Sequence, residues 1–259
     1  MAVSLKIGKC SLLGNYRENN EDAVEVKEFG DLTAFRMMTC IVADGMGGQA
    51  AGEKASQMAT EVIPRELQEE IKSATSAEDI KRAIRQAVVQ ANEEIMAMGQ
   101  LDRDFRNMGT TVVMALWVPT FRDDCLFIAS VGDSRCYLVR DSKIEQLTTD
   151  HSLAEALKLA GTISAEEARE HRFKNVLWKY LGTKEVGEGP DIKMLYVRPG
   201  DMLLLCTDGL TGTVPDDQIL ATLLAESDPQ HCADTLCNLA LENGSKDNVS
   251  CMVIHVAES

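Results

Sequence analysis

The chain has 259 residues, 45% hydrophobic and 26% charged, as in an ordinary globular protein able to bury a sizeable core. Its 41 acidic and 26 basic residues give a formal net charge of −15, which argues against binding to nucleic acid or to anionic membranes. No run approaches the roughly 18 apolar residues of a membrane span, and Lys6 and Lys9 lie where a signal peptide needs an apolar stretch.

The first half of the chain predicts strands followed by two long helices. Short strands are expected at 5–14 and 22–29, around the polar turn "NYRENNE", and a buried strand at 34–44. Helices are expected over 51–72 and 78–98. The second repeats apolar residues at helical spacing from Ile80 to Ile95, and "TSAED" before it supplies cap-like residues.

The second half predicts more strands, then a helix pair and a closing strand. Strand-like segments at 109–118, 125–133, 135–141 and 143–150 precede a stretch of short helix and loop from about 151 to 190. Two further strand signals flank a turn at 199–201. Helical stretches follow at 215–226 and 229–244, and the last strand at 248–258. Strands in blocks with helices in pairs favour an α+β fold of antiparallel sheets, with helices packed outside them.

The cysteines and histidines do not predict a metal site of their own. The eight cysteines form no C-x-x-C pair and mostly sit in apolar runs, so they are interpreted as reduced, buried thiols of a cytoplasmic protein. The four histidines show no H-x-x-x-H spacing, which argues against a zincin-type site.

Carboxylates recur at the ends of the predicted strands. A single Asp-Gly is common turn punctuation, but several acids at ends of strands that share a sheet predict a functional site. Carboxylates held together repel by about 4 kcal/mol per close pair at intermediate dielectric, and a cation relieves that repulsion. The residues concerned are Glu21, Asp22, Asp44, Asp133, Asp208 and Asp247.

Oxygen ligands without histidine or cysteine select hard ions, Mg²⁺ or Mn²⁺ or else Ca²⁺, although the EF-hand spacing is absent. Two such ions would hold and activate a water as nucleophile. Gly45 would let a backbone carbonyl and a water approach an ion closely. The segment "DGMGGQAAGEKAS" could instead cradle a nucleotide phosphate, but it lacks both G-K-[ST] and G-x-G-x-x-G.

Arg17 lies four residues before Glu21. An arginine beside an acidic metal site suits a phosphoryl group, because its planar fork bonds two oxygens at once. The alternative is a surface arginine paired with Glu18.

Seven motifs, in this order, resemble the metal-dependent protein phosphatases of type 2C, the PPM family, and in particular its compact bacterial members. They are "RENNEDA", "VADGMGG", "MGTTVVMAL", "ASVGDSRCYLVR", "LTTDHSL", "LLLCTDGLTG" and "KDNVSCMVI". The resemblance covers residues 7 to 256. Seven motifs in the family's order make it specific, whereas DGxGG alone would be weak evidence for the family. It implies one catalytic domain over 1–259, a four-layer αββα sandwich of two antiparallel sheets flanked by helix pairs, and a flap at about 161–189.

The resemblance also implies the reaction, a Mn²⁺- or Mg²⁺-dependent hydrolysis of phosphoserine and phosphothreonine in proteins. Two ions would activate a water that attacks phosphorus in line, without a phosphoenzyme. We expect phosphoprotein substrates, an opposing Ser/Thr kinase by analogy, a monomer, and no nucleic-acid or membrane partner. A narrower role is a switch acting on anti-sigma-factor antagonists. The competing class is a regulatory binding module that has lost its metals, which the intact acidic positions disfavour.

By motif position, the resemblance implies a ligand set for the two ions. Asp44 would bridge them, with the Gly45 carbonyl on one ion and Asp208 and Asp247 on the other. Glu21 would reach the second ion directly or through water.

Other residues would assist these ligands by the same resemblance. Asp22, Asn248 and Gly209 would support them from behind. Arg17 would hold the substrate phosphate, so that Arg17 and Asp44 are the expected catalytic residues.

The sequence departs from the family pattern at two positions. Met46 stands where animal relatives usually carry a histidine, the proposed acid for the leaving alkoxide, so a metal-bound water would have to donate that proton. Gly212 stands where many relatives have an aspartate that joins the equivalent of Asp133 around a third ion. A third ion here would therefore bind more weakly, or through Asp133, Asp208 and water.

Trp178 and Tyr180 lie in the flap segment, in "KNVLWKYLG". They are candidates for substrate contact. Packing in the core or at a hinge is an equal alternative, since aromatic side chains serve both roles.

Overall fold

The computed structural model describes residues 3–31, 35–48, 50–119, 121–122, 124–186 and 189–259. The strands within these ranges are β1 (Val3–Leu12), β2 (Asp22–Asp31), β3 (Phe35–Met46), β4 (Gly109–Thr110), β5 (Val112–Trp117), β6 (Cys125–Val131), β7 (Arg135–Arg140), β8 (Lys143–Gln146), β9 (Asp191–Tyr196), β10 (Met202–Cys206) and β11 (Val249–Glu258). The α-helices are α1 (Ala50–Glu70), α2 (Ala77–Leu101), α3 (Leu153–Leu159), α4 (Ala165–Glu170), α5 (Asp208–Thr211), α6 (Asp216–Ala225) and α7 (Pro229–Glu242).

The strands form two sheets in which the paired strands run antiparallel. Sheet 1 has the order β1-β11-β10-β7-β8, so the first and last strands of the chain are neighbours. Sheet 2 has the order β2-β3-β5-β6-β9, with the short β4 paired to the end of β3.

Three apolar clusters separate four layers. The first joins α1 and α2 to sheet 2, the second fills the space between the sheets, and the third joins sheet 1 to α6 and α7. Alternation along β3 shows how one strand serves two clusters, since Ile41 packs against the helices and Val42 lies between the sheets. Each such buried side chain contributes roughly 1.5–3 kcal/mol. The predicted αββα sandwich of antiparallel sheets and helix pairs is confirmed.

Helix α2 begins as its sequence predicts. Ser76 accepts a hydrogen bond from the backbone of Asp79, and the Asp79 side chain accepts one from the backbone of Ser76, which is a capping box. Helix α1 ends at Glu70, two residues before the predicted end, and continues as a 3-10 turn over Ile71–Ser73.

Two chain-wide properties accompany this fold. All eight cysteines are free, and seven of them are buried. Among the described helices, none combines the length and the apolar character needed to cross a bilayer.

The predicted turn at 199–201 does not close a hairpin. Strand β9 before it pairs with β6 in sheet 2, whereas β10 after it pairs with β7 and β11 in sheet 1. The turn therefore carries the chain from one sheet to the other. It is held by the buried Asp201, which accepts hydrogen bonds from Nε and Nη2 of Arg140 at 2.8 and 2.6 Å and from the backbone of Arg198 at 2.8 Å. The sequence pattern could not assign the two strands to different sheets.

Replacing Asp201 with asparagine tests how strongly this crossover is held. Asp201→Asn leaves Arg140 facing a neutral amide, and we expect the free energy of unfolding to fall by about 1–3 kcal/mol in urea denaturation. As a control, Arg198→Gln removes an exposed charge and is expected to cost less than about 1 kcal/mol. Equal losses in the two variants would contradict a specific role for the buried carboxylate.

Candidate metal centre

The end of sheet 2 carries a row of aligned residues that faces the space between the sheets. Asp22 is the register partner of Asp44, and continuing the β3–β5 and β5–β6 registers places Thr111 and then Gly132 beside them. Adjacent residues of such a row share one face of the sheet. Because Val42, two residues earlier on β3, belongs to the inter-sheet cluster, Asp22 and Asp44 lie at the open end of that cluster.

Asp44 lies inside its strand, not at the end as predicted. Strand β3 continues through Gly45 and Met46 because both pair with β4. The single strand predicted at 109–118 is divided correspondingly into β4 and β5, with Thr111 between them. Asp44 thus has hydrogen-bonded backbone on both sides, which fixes its position more firmly than a turn would.

Two threonines bind the backbone of Asp44. Thr111 donates its N–H to the Asp44 carbonyl at 2.9 Å, and its Oγ1 accepts the Asp44 N–H at 3.0 Å. The Thr110 hydroxyl donates to the same carbonyl at 2.8 Å. Thr111 Oγ1 also lies 2.7 Å from the hydroxyl of Ser134, next to Asp133. No role was predicted for these threonines from the sequence. The signal that could have found them is the pair of threonines in the "MGTT" motif, directly before the apolar run of β5.

Gly45 is required by the close approach of helix α1. A Cβ at Gly45 would lie 2.1 Å from the carbonyl oxygen of Gly52, and a Cβ at Gly52 would lie 2.8 Å from Oε2 of Glu21. The Glu21 carbonyl accepts hydrogen bonds from Gly45 at 3.1 Å and from the Ser56 hydroxyl at 2.6 Å. The start of α1 therefore presses the buried Glu21 against the end of β3.

Asn248 hydrogen-bonds to two acidic residues of the cluster. Its Oδ1 accepts the backbone N–H of Glu21 at 2.9 Å, and its own N–H donates to the Asp247 carboxylate at 2.8 Å. Its Nδ2 donates to the carbonyls of Leu13 and Asn19. Gly209 lies directly behind it, since a Cβ there would be 1.9 Å from the Asn248 carbonyl oxygen.

Sheet 1 contributes Asp208 and a direct bond to sheet 2. Asp208 begins α5 immediately after β10, one residue beyond Thr207. The Thr207 hydroxyl donates to Oδ2 of Asp22 at 3.0 Å, across the gap between the sheets. This bond holds the carboxylate rows of the two sheets together.

Arg17 pairs with Asp247, so the alternative pairing with Glu18 is wrong. Its Nη2 lies 2.7 Å from Oδ2 of Asp247, and both side chains are partly exposed. This hydrogen bond raises the pKa of Arg17, as do the nearby charges of Glu21 and Asp44. The guanidinium therefore sits at the mouth of the acidic cluster and stays charged.

The acidic side chains raise one another's pKa values. Burial and the charges of Asp208 and Asp247 raise the pKa of Asp22 to about 7. Burial and the charges of Asp208 and Asp150 raise the pKa of Asp133 to about 8. The pKa of Asp44 is raised well above its usual value by burial and then by Asp22 and Asp208.

Burial is also the main cause at the other two acids. It raises the pKa of Asp208, with a further contribution from Asp247, and it raises the pKa of Glu21. Such mutual repulsion among partly buried carboxylates marks the groups that a divalent cation would stabilise.

Within the described residues, no three acidic, histidine or cysteine side chains stand in the arrangement of a complete metal ligand set. The donors themselves suit hard divalent ions, because they are partly buried carboxylates without competing sulfur or imidazole ligands. Asp22, Asp133, Asp208 and Asp247, from both sheets, lie close enough to Asp44 for their charges to raise its pKa.

A buried histidine that the sequence reasoning missed positions the Asp133 loop. The ring Nδ1 of His151 accepts a hydrogen bond from the backbone N–H of Gly132 at 2.9 Å. The backbone N–H of His151 donates to the Gly132 carbonyl, also at 2.9 Å. Burial lowers the pKa of His151, which keeps the ring neutral and able to accept this bond. Gly212, the position that lacks a carboxylate, donates its N–H to the Asp208 carbonyl at 2.7 Å and closes α5.

The two flap aromatics differ in their surroundings. Trp178 is half exposed, with one ring edge against His151 at a centroid distance of 4.9 Å. Tyr180 packs on β4, where a Cβ at Gly109 would lie 2.7 Å from its ring. Between α3, α4 and α5 is a cleft of about 370 Å³ whose lining includes Asp133 and Asp208. Trp178 therefore presents a free ring surface, whereas Tyr180 has the packing role.

These features define a two-sheet sandwich with an acidic, oxygen-only site at one end. Residues 17–243 match the family described as Protein phosphatase 2C. The chain is 35% identical over 241 residues to the serine/threonine phosphatase stp of Listeria monocytogenes, covering 93% of this chain and 92% of that protein. It is also 35% identical over 249 residues to PstP of Mycobacterium tuberculosis, covering 95% of this chain and 44% of that longer protein.

Solved structures show the same fold. Stp1 from Staphylococcus aureus superposes with a TM-score of 0.85 at 33% identity, covering 99% of this chain and 96% of that one. The catalytic domain of PstP in complex with two manganese ions superposes with a TM-score of 0.79 at 32% identity, covering 99% and 100%. The chain belongs to the protein phosphatase 2C family.

Thr111 offers a test of how the site is positioned. Thr111→Val removes the hydroxyl that accepts the Asp44 N–H and bonds Ser134, whereas Thr111→Ser keeps it. We expect valine to weaken Mn²⁺ binding, measured by calorimetry, by roughly 10–100-fold, and serine to have a much smaller effect. Equal affinities in the two variants would contradict a positioning role for the hydroxyl.

The raised pKa values of Asp22 and Asp133 predict an effect of pH on stability. In EDTA, the folded chain keeps protons on these two groups up to pH values of about 7 and 8, whereas an unfolded aspartate releases its proton near about 4. The free energy of unfolding should therefore fall as the pH rises from about 4 to about 8.

Mn²⁺ should oppose this loss, with its largest effect at the upper end of the range. A Mn²⁺ concentration 100 times Kd adds about 2.7 kcal/mol, which corresponds to a Tm increase of roughly 5–10 °C. We expect calorimetric Tm values to show a smaller increase at pH 5.5 than at pH 8. An increase independent of pH would contradict the assignment of these protons to the site.

Proposed function

We propose that Glu21, Asp44, the Gly45 carbonyl, Asp208 and Asp247 hold the two metal ions of this enzyme. The chain is a metal-dependent protein phosphatase, and it hydrolyses phosphoserine and phosphothreonine in phosphoprotein substrates. The observation that carries the ligand assignment is the position of Asp44. Its backbone is fixed by paired strands on both sides, and its carboxylate lies among acids that raise its pKa.

Two Mn²⁺ or Mg²⁺ ions held there supply positive charge that polarises a phosphoryl oxygen and makes a neighbouring water more acidic. The chain's part is to hold the carboxylates rigidly. Asp44 is anchored by Thr110 and Thr111, and Asn248 orients the backbone of Glu21 and the carboxylate of Asp247. A rigid arrangement is what electrostatic catalysis requires, because nothing needs to reorganise as charge develops.

Arg17 binds the phosphoryl group in this proposal. Its guanidinium lies at the mouth of the cluster, with Nη2 committed to Asp247. A planar fork can bond two phosphoryl oxygens and orient the group for in-line attack. Met46 has no proton to give, so the leaving alkoxide takes its proton from water.

Asp22 and Gly209 support this arrangement without touching the substrate. Asp22 is bonded to Thr207 of the opposite sheet, and Gly209 lets α5 approach the Asn248 backbone. A third ion would bind between Asp133 and Asp208. These two carboxylates are close enough that the charge of Asp208 raises the pKa of Asp133. Gly212 supplies no carboxylate there, which favours weaker binding.

We further propose a single catalytic domain over 1–259 that acts as a cytoplasmic monomer. Pairing of β1 with β11 ties the two ends of the described chain together, and one chain supplies every proposed ligand. Eight free cysteines fit a reducing compartment. A Ser/Thr protein kinase is the partner that the reaction requires, because it generates the phosphoproteins.

Two substitutions test the ligand assignment. Asp44→Asn and Asp208→Asn are expected to lower Mn²⁺-dependent hydrolysis of a phosphothreonine peptide by roughly a hundredfold or more. Asp217→Asn, at an exposed position on α6, is the matched control and should keep full activity. Turnover that survives EDTA, or that survives the two substitutions in folded protein, would overturn the assignment.

A further inference from the structure

A second cavity, of about 470 Å³, lies where α2 ends. Its lining includes Met96, Arg103, Arg106, Met108 and Gly182. It is therefore bounded by the C-terminal part of α2, by the 3-10 turn that follows, and by Gly182 near the end of the flap segment.

This cavity is adjacent to the candidate metal centre. Met108 precedes Gly109, the register partner of Met46. A Cβ at Gly47 would lie 3.1 Å from the Met108 Cα, so the backbone following Asp44 is in contact with the cavity wall. Met46 is two residue steps along β3 from Asp44, which corresponds to about 7 Å of backbone.

Two arginines make the cavity suited to an anion. Arg103 and Arg106 are exposed, and neither guanidinium has a hydrogen-bond or ion-pair partner among the described residues. The single acidic residue of the lining, Asp102, is engaged locally, since its carboxylate accepts the N–H of Asp104 at 3.0 Å.

Seven arginines of the described residues form ion pairs with aspartate or glutamate. Ion pairs form at Arg17, Arg65, Arg82, Arg122, Arg135, Arg140 and Arg198. Two unpaired guanidiniums lining one cavity beside the site are therefore available to bind a carboxylate, for which their planar forks are well matched.

We propose that this cavity is a subsite for an acidic side chain of the substrate, two to four residues from the phosphorylated residue. An extended polypeptide spans about 3.3–3.6 Å per residue, so a residue two to four positions from the phosphorylated residue lies about 7–14 Å from it. That span reaches past the backbone at Met46, which pairs with Gly109 next to the cavity wall. Arg103 and Arg106 are thus specificity-determining residues for aspartate or glutamate in that position. This inference rests on the proposed function, since it presumes that the phosphoryl group binds at Asp44.

The test compares phosphothreonine peptides that differ only by glutamate or glutamine within four residues of the phosphothreonine, on either side. The enzymes are the wild type, the double variant Arg103→Gln/Arg106→Gln, and the control Arg85→Gln. Arg85 is exposed on the same helix, about 24 Å before its end. The measured quantity is kcat/KM with Mn²⁺, and p-nitrophenyl phosphate serves as a substrate without flanking residues.

We expect the wild type and Arg85→Gln to prefer a glutamate peptide about three- to tenfold. The double variant should lose that preference and keep its activity on p-nitrophenyl phosphate, which also shows that it is folded. Raising the salt concentration from about 0.01 M to about 1 M should diminish the wild-type preference, because the Debye length falls from about 30 to 3 Å.

Equal kcat/KM for the paired peptides in the wild type would overturn the subsite, and so would a preference that the double variant retains. Either result, with normal hydrolysis of p-nitrophenyl phosphate, leaves the phosphatase reaction standing. Loss of Mn²⁺-dependent hydrolysis of every substrate by the wild type would instead overturn the proposed function, and with it the subsite.

Discussion

Repulsion among closely spaced, partly buried carboxylates is the constraint on which this structure depends. Asp22 and Asp44 are neighbours in one sheet, and Asp208 and Asp247 approach them from the other. Each such contact costs several kcal/mol at intermediate dielectric unless a proton or a cation offsets it. The raised pKa values of these groups are the direct expression of that cost. In the proposed metal site the same repulsion would supply the affinity for divalent cations, so the electrostatic cost in the fold and the function of the site would have one origin.

Rigid backbone holds the carboxylates against this repulsion. Asp44 is bound by strands on both sides and by two threonine hydroxyls, and Asn248 links residues that are more than 200 positions apart in the chain. Glycines at 45, 52 and 209 let helices approach so closely that a methyl group would collide with backbone. These contacts explain why motifs spread over the whole chain are needed to make one site.

The surroundings of the site divide its tasks. The carboxylates lie at the open end of the space between the sheets, and Arg17 lies at its mouth. Two cavities flank this centre, one between α3, α4 and α5 and one at the end of α2. The proposed reaction site thus lies on elements fixed by both sheets. The flanking cavities are lined largely by helix ends and loops, where side chains can vary without disturbing the acids.

The sequence by itself supplied the candidate residues for the proposed site. Acids at strand ends and Asp-Gly pairs predicted a metal site, and blocks of strands and helices predicted antiparallel sheets with helices outside them, because these patterns are local along the chain. The order of motifs implied the ligand set and the four layers only through the resemblance to a family. Only the tertiary structure decided that Arg17 pairs with Asp247, that Asp44 lies within a strand beside Thr111, that His151 fixes the Asp133 loop, and that the turn at 199–201 joins two sheets. These contacts depend on strand register and on residues far apart in sequence, so no local pattern specifies them.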